Sequence, residues 1–85
     1  MSYRIVPDQA VFAQVAALPT EALAAYAEVL EVLRLTPWNG EPQHEGNPDA
    51  SVRRWHFGSN LAGQVVYLIV DDRQEVHLLL VQWLG

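Results

Sequence analysis

Residues 51–84, SVRRWHFGSNLAGQVVYLIVDDRQEVHLLLVQWL, decide the fold. Their pattern predicts three strands, over 51–57, 64–70 and 75–84, which are separated by a glycine-flanked loop and a tight turn. The middle segment is nearly all apolar, as expected of a central strand. Because both connections are short, we expect an antiparallel meander. Alternation in the first of these strands places Arg54 and His56 on one face, opposite Trp55 and Phe57, which we assign to the core.

Upstream of the meander, the pattern predicts one short strand over 3–6 and two helices. Pro7 and Asp8 suit the start of the first helix, which ends at Pro19, and Thr20 is expected to cap the second. The apolar stripes of the two helices comprise Val11, Val15 and Leu18, then Leu23, Tyr26, Leu30 and Leu33. The order β-α-α-β-β-β predicts a single α+β domain over 1–85, in which a two-helix hairpin packs on a small antiparallel sheet.

Composition limits the class of protein. The chain of 85 residues has no cysteine, so disulfides and thiolate metal sites are excluded. No apolar run is long enough to span a membrane, and the first residues lack the features of a signal peptide, so we expect a cytoplasmic protein. The net charge of −5 argues against loose binding to nucleic acid, but all five basic residues are arginine, which suits one local phosphate site.

The segment 36–50 is rich in proline and glycine and shows no periodicity. We predict a structureless loop there, either functional or flexible, which Trp38 pins to the body of the domain. His44 and Glu45 lie in this loop. They can swing over the sheet and take part in chemistry, or they can simply be solvated.

Four short matches give the chain a resemblance to a known family. They are Arg54-Trp55-His56-Phe57-Gly58, then 65–69 with Asp71-Asp72, then 76–81, and Leu35-Thr36-Pro37 with Gly40 after it. With the order of elements, these resemble the toxins of the RelE/ParE superfamily, which belong to bacterial type II toxin–antitoxin pairs. The ending Val81-Gln82-Trp83-Leu84 looks like an actinobacterial branch of that superfamily.

The resemblance implies a bacterial cytoplasmic toxin that a cognate antitoxin holds inactive. In the RelE branch the toxin enters the ribosome and cleaves mRNA through the adjacent 2′-hydroxyl, without a metal or other cofactor. In the ParE branch the toxin inhibits DNA gyrase. The chain is therefore expected to be a ribosome-dependent mRNA endonuclease (an mRNA interferase) that inhibits translation. The alternative is a non-catalytic module, either a gyrase inhibitor or an inactive toxin, that binds an antitoxin. The oligomeric state is open between a homodimer and a toxin–antitoxin hetero-oligomer.

By the same resemblance, Arg54 and His56 are the candidate catalytic residues, for phosphate charge and for proton transfer; otherwise they form a solvated face. Gln64 stands where the family usually has arginine, and Trp83-Leu84 stands where many of its nucleases have a basic pair. Candidates for binding RNA or a partner are Arg53, Gln64, Trp83 and His44. The alternative for Arg53 is a structural role at the edge of the core, paired with a helix glutamate. The alternative for Trp83 is to anchor the final strand to the core. His77 is assigned to strand packing, and no metal ligands are expected because the histidines lack ligand spacing.

Overall fold

In residues 2–42 and 51–85, which the computed structural model describes, two helices pack on one face of a five-stranded sheet. Single 3₁₀ turns lie at Pro37–Asn39 and Asp71–Arg73, and an irregular turn lies at Ser59–Leu61. The strands are β1 (Arg4–Pro7), β2 (Glu41–Pro42), β3 (Val52–Phe57), β4 (Gly63–Val70) and β5 (Glu75–Trp83), and the helices are α1 (Gln9–Ala16) and α2 (Thr20–Leu35). The predicted α+β order is confirmed.

The sheet has the order β1-β5-β4-β3-β2. The predicted antiparallel meander of β3, β4 and β5 is confirmed. The sheet is nevertheless mixed, because β1 pairs with β5 in parallel, with Ile5 opposite Val76. After β1 the two helices carry the chain across one face of the sheet to β2 and β3 at the other edge, and β4 then leads to β5 beside β1. A parallel neighbour requires a crossover of this kind.

A β-bulge in β5 interrupts the regular alternation of faces along that strand. Val66 is opposite Leu80 while the next residue, Tyr67, is opposite Leu78, so Leu79 is an extra residue. An extra residue reverses the alternation beyond it. Simple alternation would group Leu80 with Val76 and Leu78, but in the structure Val81 takes that place in the core with 3% exposure.

The helices begin close to the predicted positions, but their buried faces differ in part. Asp8 caps α1 and accepts a hydrogen bond from the Ala10 N–H group. Thr20 is the first residue of α2 and makes no capping hydrogen bond, contrary to the prediction. The buried residues of α2 are Ala22, Tyr26, Val29 and Leu33. Small Ala22 allows the helix to approach the sheet closely, so the buried stripe is rotated away from Leu23, which is 40% exposed.

The segment after α2 is more ordered than predicted. Residues 37–39 form a 3₁₀ turn, and β2 adds a fifth strand beside β3, with Glu41 opposite Arg54. Residues 43–50, and with them His44 and Glu45, lie outside the described residues. Among those that are described, no helix has the length and apolarity to cross a membrane.

Candidate functional site on the open sheet face

The face of the sheet turned away from the helices carries most of the polar side chains of the strands. Residues directly opposite one another on paired strands share a face, and this rule defines the set that we call the open face. It consists of Val52, Arg54 and His56 on β3, Gln64, Val66, Leu68 and Val70 on β4, Glu75, His77, Leu80 and Gln82 on β5, and Arg4 and Val6 on β1. Arg54 and His56 therefore lie together on one face, as predicted, and Gln64 shares it with Val66 and Leu68.

Arg54 is loosely held at the β2 side of the open face. Its Nε atom lies 3.5 Å from Oε2 of Glu41, and the Arg54 side chain is 31% exposed. This is an ion pair without a hydrogen bond, because the buried Nε atom has no hydrogen-bond partner in the described chain. Arg54 can therefore take up a stronger anionic partner, since charge-assisted pairs with phosphate have better geometry than this one.

His56 is half-buried and lies opposite Gln64. A depression of about 280 Å³ adjoins it, and a second depression of about 290 Å³ extends from it towards α2. Both are lined by Trp55, His56 and Leu61, and the first also by Arg54 and Glu41. A polar group on the substrate can therefore reach His56 and Arg54 from the same side.

Leu61 is a site residue that the sequence does not reveal. It is 64% exposed, lines both depressions, and has a φ angle of 55° in the left-handed region. A side chain such as leucine rarely adopts this conformation, and such strain clusters at functional sites. The sequence gives no sign of this conformation at Leu61. A positive φ is expected of the preceding Asn60, and both residues adopt it.

Gln64 is tied across the open face to the neighbouring strand. Its amide donates a hydrogen bond to Oε1 of Gln82 at 3.3 Å. The pair lies beside His56, so Gln64 borders the candidate catalytic residues but offers no positive charge. It stays a candidate for contacts with RNA or a partner.

Arg53 holds the chain segment that precedes β2. Only 8% exposed, it donates hydrogen bonds to the carbonyl oxygens of Trp38 at 3.1 Å and Gly40 at 2.8 Å, and its guanidinium lies 4.9 Å from the Trp38 ring centroid. Arg53 was predicted to pair with a helix glutamate. In the structure it binds these backbone carbonyl groups, because the 3₁₀ turn at Pro37–Asn39 brings them to the edge of the sheet. The geometry assigns Arg53 to supporting this segment, not to a solvent-facing surface.

Tyr67 supports the same segment from the core. Its side chain is fully buried, its hydroxyl donates a hydrogen bond to the Pro37 carbonyl at 2.7 Å, and burial raises its pKa to about 12. Gly40 lies against this hydroxyl, and a Cβ atom there would be 1.8 Å from it. Glycine is thus required where the backbone approaches Tyr67, and this contact positions Glu41 beside Arg54.

Trp83 anchors the end of β5, in line with the structural role considered for it. It packs on the core with its ring centroid 6.2 Å from that of Phe57. Gly58 has a φ angle of 81°, and a Cβ atom there would lie 2.8 Å from the Trp83 ring. Since the bulge puts Trp83 on the same side as Val81, it points away from the open face and is not placed to stack on a ligand there.

Asp71 joins three parts of the chain outside the open face. Its carboxylate accepts hydrogen bonds from the Tyr3 hydroxyl and, at 3.2 Å, from Nε1 of Trp38. The Tyr3 bond, followed by the Trp38 bond, lowers the pKa of Asp71. The prediction that Trp38 pins its segment to the body of the domain is confirmed.

The sequence assignment of His77 to packing missed a polar cluster on the open face. Nε2 of His77 lies 2.9 Å from Oε1 of Glu75, and the Arg4 guanidinium contacts Oε2 of the same carboxylate. The hydrogen bond from His77, followed by that from Arg4, lowers the pKa of Glu75. The spacing of Glu75 and His77 in the sequence could have revealed their contact, because residues two apart on a strand share a face. In the described part of the chain, no group of three or more His, Asp and Glu side chains could hold a metal ion.

The element order, the mixed sheet and the helix-free polar face define a small α+β protein in which the open face is the candidate binding surface. Comparison with solved structures makes the fold more specific. The chain is similar to a double mutant of the E. coli RelE toxin in the free state, with a TM-score of 0.78 and 18% identity over 98% of this chain and 84% of that one.

Two toxin–antitoxin complexes are also similar. RelBE2 from Mycobacterium tuberculosis matches with a TM-score of 0.75 and 22% identity, over 98% of this chain and 99% of that chain. The archaeal RelE–RelB complex from Pyrococcus horikoshii matches with a TM-score of 0.66 and 18% identity, over 100% and 98%. The chain thus has the fold of RelE toxins. The sequence matches no family model and no curated protein.

Proposed function

We propose that this protein is the toxin of a toxin–antitoxin pair and acts as a RelE-like, ribosome-dependent mRNA endonuclease that inhibits translation. The observation that supports this most is the placement of Arg54 and His56, side by side on the open face and beside an accessible depression. The similarity of the fold to RelE toxins supports the same proposal. The finer assignment to an actinobacterial branch, and with it a bacterial cytoplasmic origin, stays a prediction.

The proposed reaction is cleavage of RNA by its own 2′-hydroxyl. The 2′-oxygen forms a bond to phosphorus, the bond from phosphorus to the 5′-oxygen breaks, and a proton moves from the 2′-hydroxyl to the leaving oxygen. His56 is proposed to transfer this proton and Arg54 to stabilise the charge on the phosphorane. The loose geometry of the Arg54–Glu41 pair suits this role, because catalytic contacts often tighten only when substrate binds.

The proposed partners are an antitoxin, the ribosome and mRNA. Two similar structures are toxin–antitoxin complexes, which supports an antitoxin as partner. A domain of this size buries a modest share of its surface, so a partner that binds only the folded form stabilises it by mass action. We propose a toxin–antitoxin hetero-oligomer as the resting state, with a homodimer as the other assembly to be tested.

A non-catalytic function is the second candidate, because three observations favour it. Arg54 is already paired with Glu41, Gln64 is paired with Gln82, and Trp83 is used in packing. In addition, no carboxylate among the described residues orients His56. On this proposal the protein is an inactive toxin, or an inhibitor of the gyrase type, whose main activity is to bind its antitoxin.

Induced expression in a bacterial host, with primer extension on a reporter mRNA, distinguishes these proposals. The catalytic proposal expects growth arrest with cuts at defined positions in codons, and loss of both with Arg54→Ala or His56→Ala. Arg34→Ala is the matched control, since Arg34 lies on the exposed side of α2 and pairs with Glu31 at 3.1 Å. Arrest without cuts supports a gyrase-type target. No arrest, with the folded protein still binding its antitoxin, supports the inactive toxin.

A further inference from the structure

The cluster of Arg4, Glu75 and His77, which we call the glutamate cluster, lies on the open face at the side opposite β2. Parallel pairing of β1 with β5 places Arg4 opposite Glu75 and Val6 opposite His77. On the other side of β5, Leu68 is opposite His77. The cluster therefore belongs to the same surface as Arg54 and His56, although nothing in the proposed reaction uses it.

Glu75 fixes which nitrogen of His77 is occupied within the cluster. The Glu75 side chain is only 10% exposed, and its two oxygens are occupied by Arg4 and by Nε2 of His77. Because an ionised carboxylate only accepts hydrogen bonds, Nε2 is the nitrogen that carries the proton whenever the imidazole holds a single proton. Nδ1 is then an acceptor, on a ring that is 34% exposed.

Arg4 supplies the positive charge at the edge of the cluster. Its side chain is 74% exposed, and the contact with Glu75 uses only one of its terminal nitrogens. A guanidinium has five N–H donors, so several remain free to bind an anion from the solvent. The cluster thus offers a cationic donor beside an imidazole ring that Glu75 orients.

The floor between the two ends of the open face is apolar. His77 lies two strands from Arg54 and two residues along the strand, which corresponds to about 12 Å between backbone positions. Val66, Leu68 and Leu80 lie in the interval; Val66 is already buried, whereas Leu68 and Leu80 are half-buried and remain open to contact. Cationic groups at two ends of an apolar floor suit a single strand of nucleic acid, whose phosphates bind the ends while a base covers the floor.

We propose that the glutamate cluster is a ribonucleotide subsite, in which Arg4 binds a phosphate of the RNA strand and Nδ1 of His77 accepts a hydrogen bond from a ribose 2′-hydroxyl. The 2′-hydroxyl is the donor that distinguishes RNA from DNA. This inference rests on the proposed action on RNA. It adds a binding contact that selects RNA at a nucleotide away from the one that reacts.

Binding of a fluorescent heptanucleotide, as RNA and as DNA of the same sequence, tests the subsite with the full-length chain. We expect the wild type to prefer RNA, and His77→Leu to reduce this preference by about threefold to tenfold, as for one hydrogen bond, without changing DNA affinity. His77→Asn keeps an acceptor near the position of Nδ1 and should retain most of the preference. Gel analysis checks that the RNA remains intact during each titration.

Salt dependence isolates the phosphate contact of Arg4. Each phosphate contact with a single strand contributes about 0.7 to the slope of log affinity against log salt concentration. We expect Arg4→Gln to lower the slope for RNA and DNA by about that amount, and Arg54→Gln to do the same independently, because the two groups lie far apart. Arg34→Gln should change neither affinity nor slope.

Two outcomes separate the two proposals. If Arg54→Gln weakens binding while the Arg4 and His77 variants bind like the wild type, the subsite is refuted and the action on RNA stands. If the wild type binds neither oligonucleotide, the subsite is refuted, whereas the ribosome-dependent action on mRNA is refuted only by the absence of cuts in the primer-extension experiment. Urea midpoints for all variants show whether weaker binding reflects loss of fold. His77→Leu is expected to remain folded, because it leaves the Arg4–Glu75 pair intact.

Discussion

The two ends of the open face carry one histidine each, but they hold it in different ways. His77 is hydrogen-bonded at 2.9 Å to a carboxylate that also binds Arg4. His56 adjoins an open depression, and the nearest ion pair, between Arg54 and Glu41, is 3.5 Å long. One end is organised before any ligand arrives, whereas the other leaves its charged groups free to rearrange.

The difference indicates a division of roles. A preorganised acceptor suits recognition, because no side-chain order has to be gained when the ligand binds. A proton-transfer residue at an accessible site can instead be aligned by the substrate itself. Arg53 and Tyr67, which fix the segment before Glu41, restrain the backbone at the accessible end without immobilising His56.

The largest expected effect is on cleavage and separates the two histidines directly. His56→Ala should reduce codon-specific cuts in a ribosome-containing translation reaction by about 10²- to 10⁴-fold, the usual contribution of a general acid or base. His77→Leu should reduce them by no more than about tenfold, because it removes one binding contact. Quantitative primer extension measures both. If His77→Leu abolishes the cuts and His56→Ala leaves them, the proposed roles of the two ends are reversed.

The second prediction tests the support beneath the accessible end. Gly40→Ala should lower the free energy of unfolding by about 1–3 kcal/mol, because the new methyl group collides with the Tyr67 hydroxyl. Urea denaturation measures the loss. In the double variant Gly40→Ala, Tyr67→Phe the loss should be smaller than the sum of the single effects, since the colliding oxygen is gone. Additive losses would show that the two residues are not in contact.

The sequence predicts the local features of this comparison well. Alternation over 51–57 places Arg54 and His56 on one face, and the apolar run 64–70 predicts the central strand that β4 forms. These features depend on the period of a single strand. The alternation of apolar and polar residues is sufficient to predict such features, because only one face of the sheet packs against the helices.

What the sequence misses depends on register between distant segments. The extra residue Leu79 reverses the faces of β5 beyond it, and no feature of the run Leu78-Leu79-Leu80 marks the bulge. The parallel pairing of β1 with β5 brings Arg4 to Glu75 across 71 positions of the sequence. A periodic pattern reveals neither the bulge nor the pairing of β1 with β5. The contact of Arg4 with Glu75 and His77 therefore could not be predicted from the sequence.

The third prediction uses pH to test the organised end. The folded-state pKa of Glu75 lies below its ordinary value of 4.5, because His77 and then Arg4 donate to the carboxylate. Its stabilising contribution is therefore present above the unfolded-state pKa and is lost as pH falls through the folded-state pKa. Urea midpoints between about pH 6 and pH 3 should fall less steeply for Glu75→Gln than for the wild type.

Two comparisons sharpen this measurement. Asp71, whose pKa is also lowered, contributes in the same range, so Glu75→Gln should remove only part of the slope. Arg4→Gln leaves the hydrogen bond from His77, which is the larger cause, and should have a smaller effect than Glu75→Gln. A wild-type slope in Glu75→Gln would show that the cluster does not hold the carboxylate ionised.

The smallest expected effect is on stability and concerns strain at the accessible end. Leu61 and Asn60 both have positive φ angles, of 55° and 57°, but only asparagine tolerates that region readily. Leu61→Asn should raise the free energy of unfolding by up to about 1 kcal/mol, and the matched variant Asn60→Leu should lower it by a similar amount. Because Leu61 is 64% exposed, little buried area is lost in the exchange. If Leu61→Asn is also less active in mRNA cleavage, the strained leucine is kept for its contact with the substrate beside His56. If the variant gains stability at full activity, the strain has no role in the proposed reaction, and His56 and Arg54 act without it.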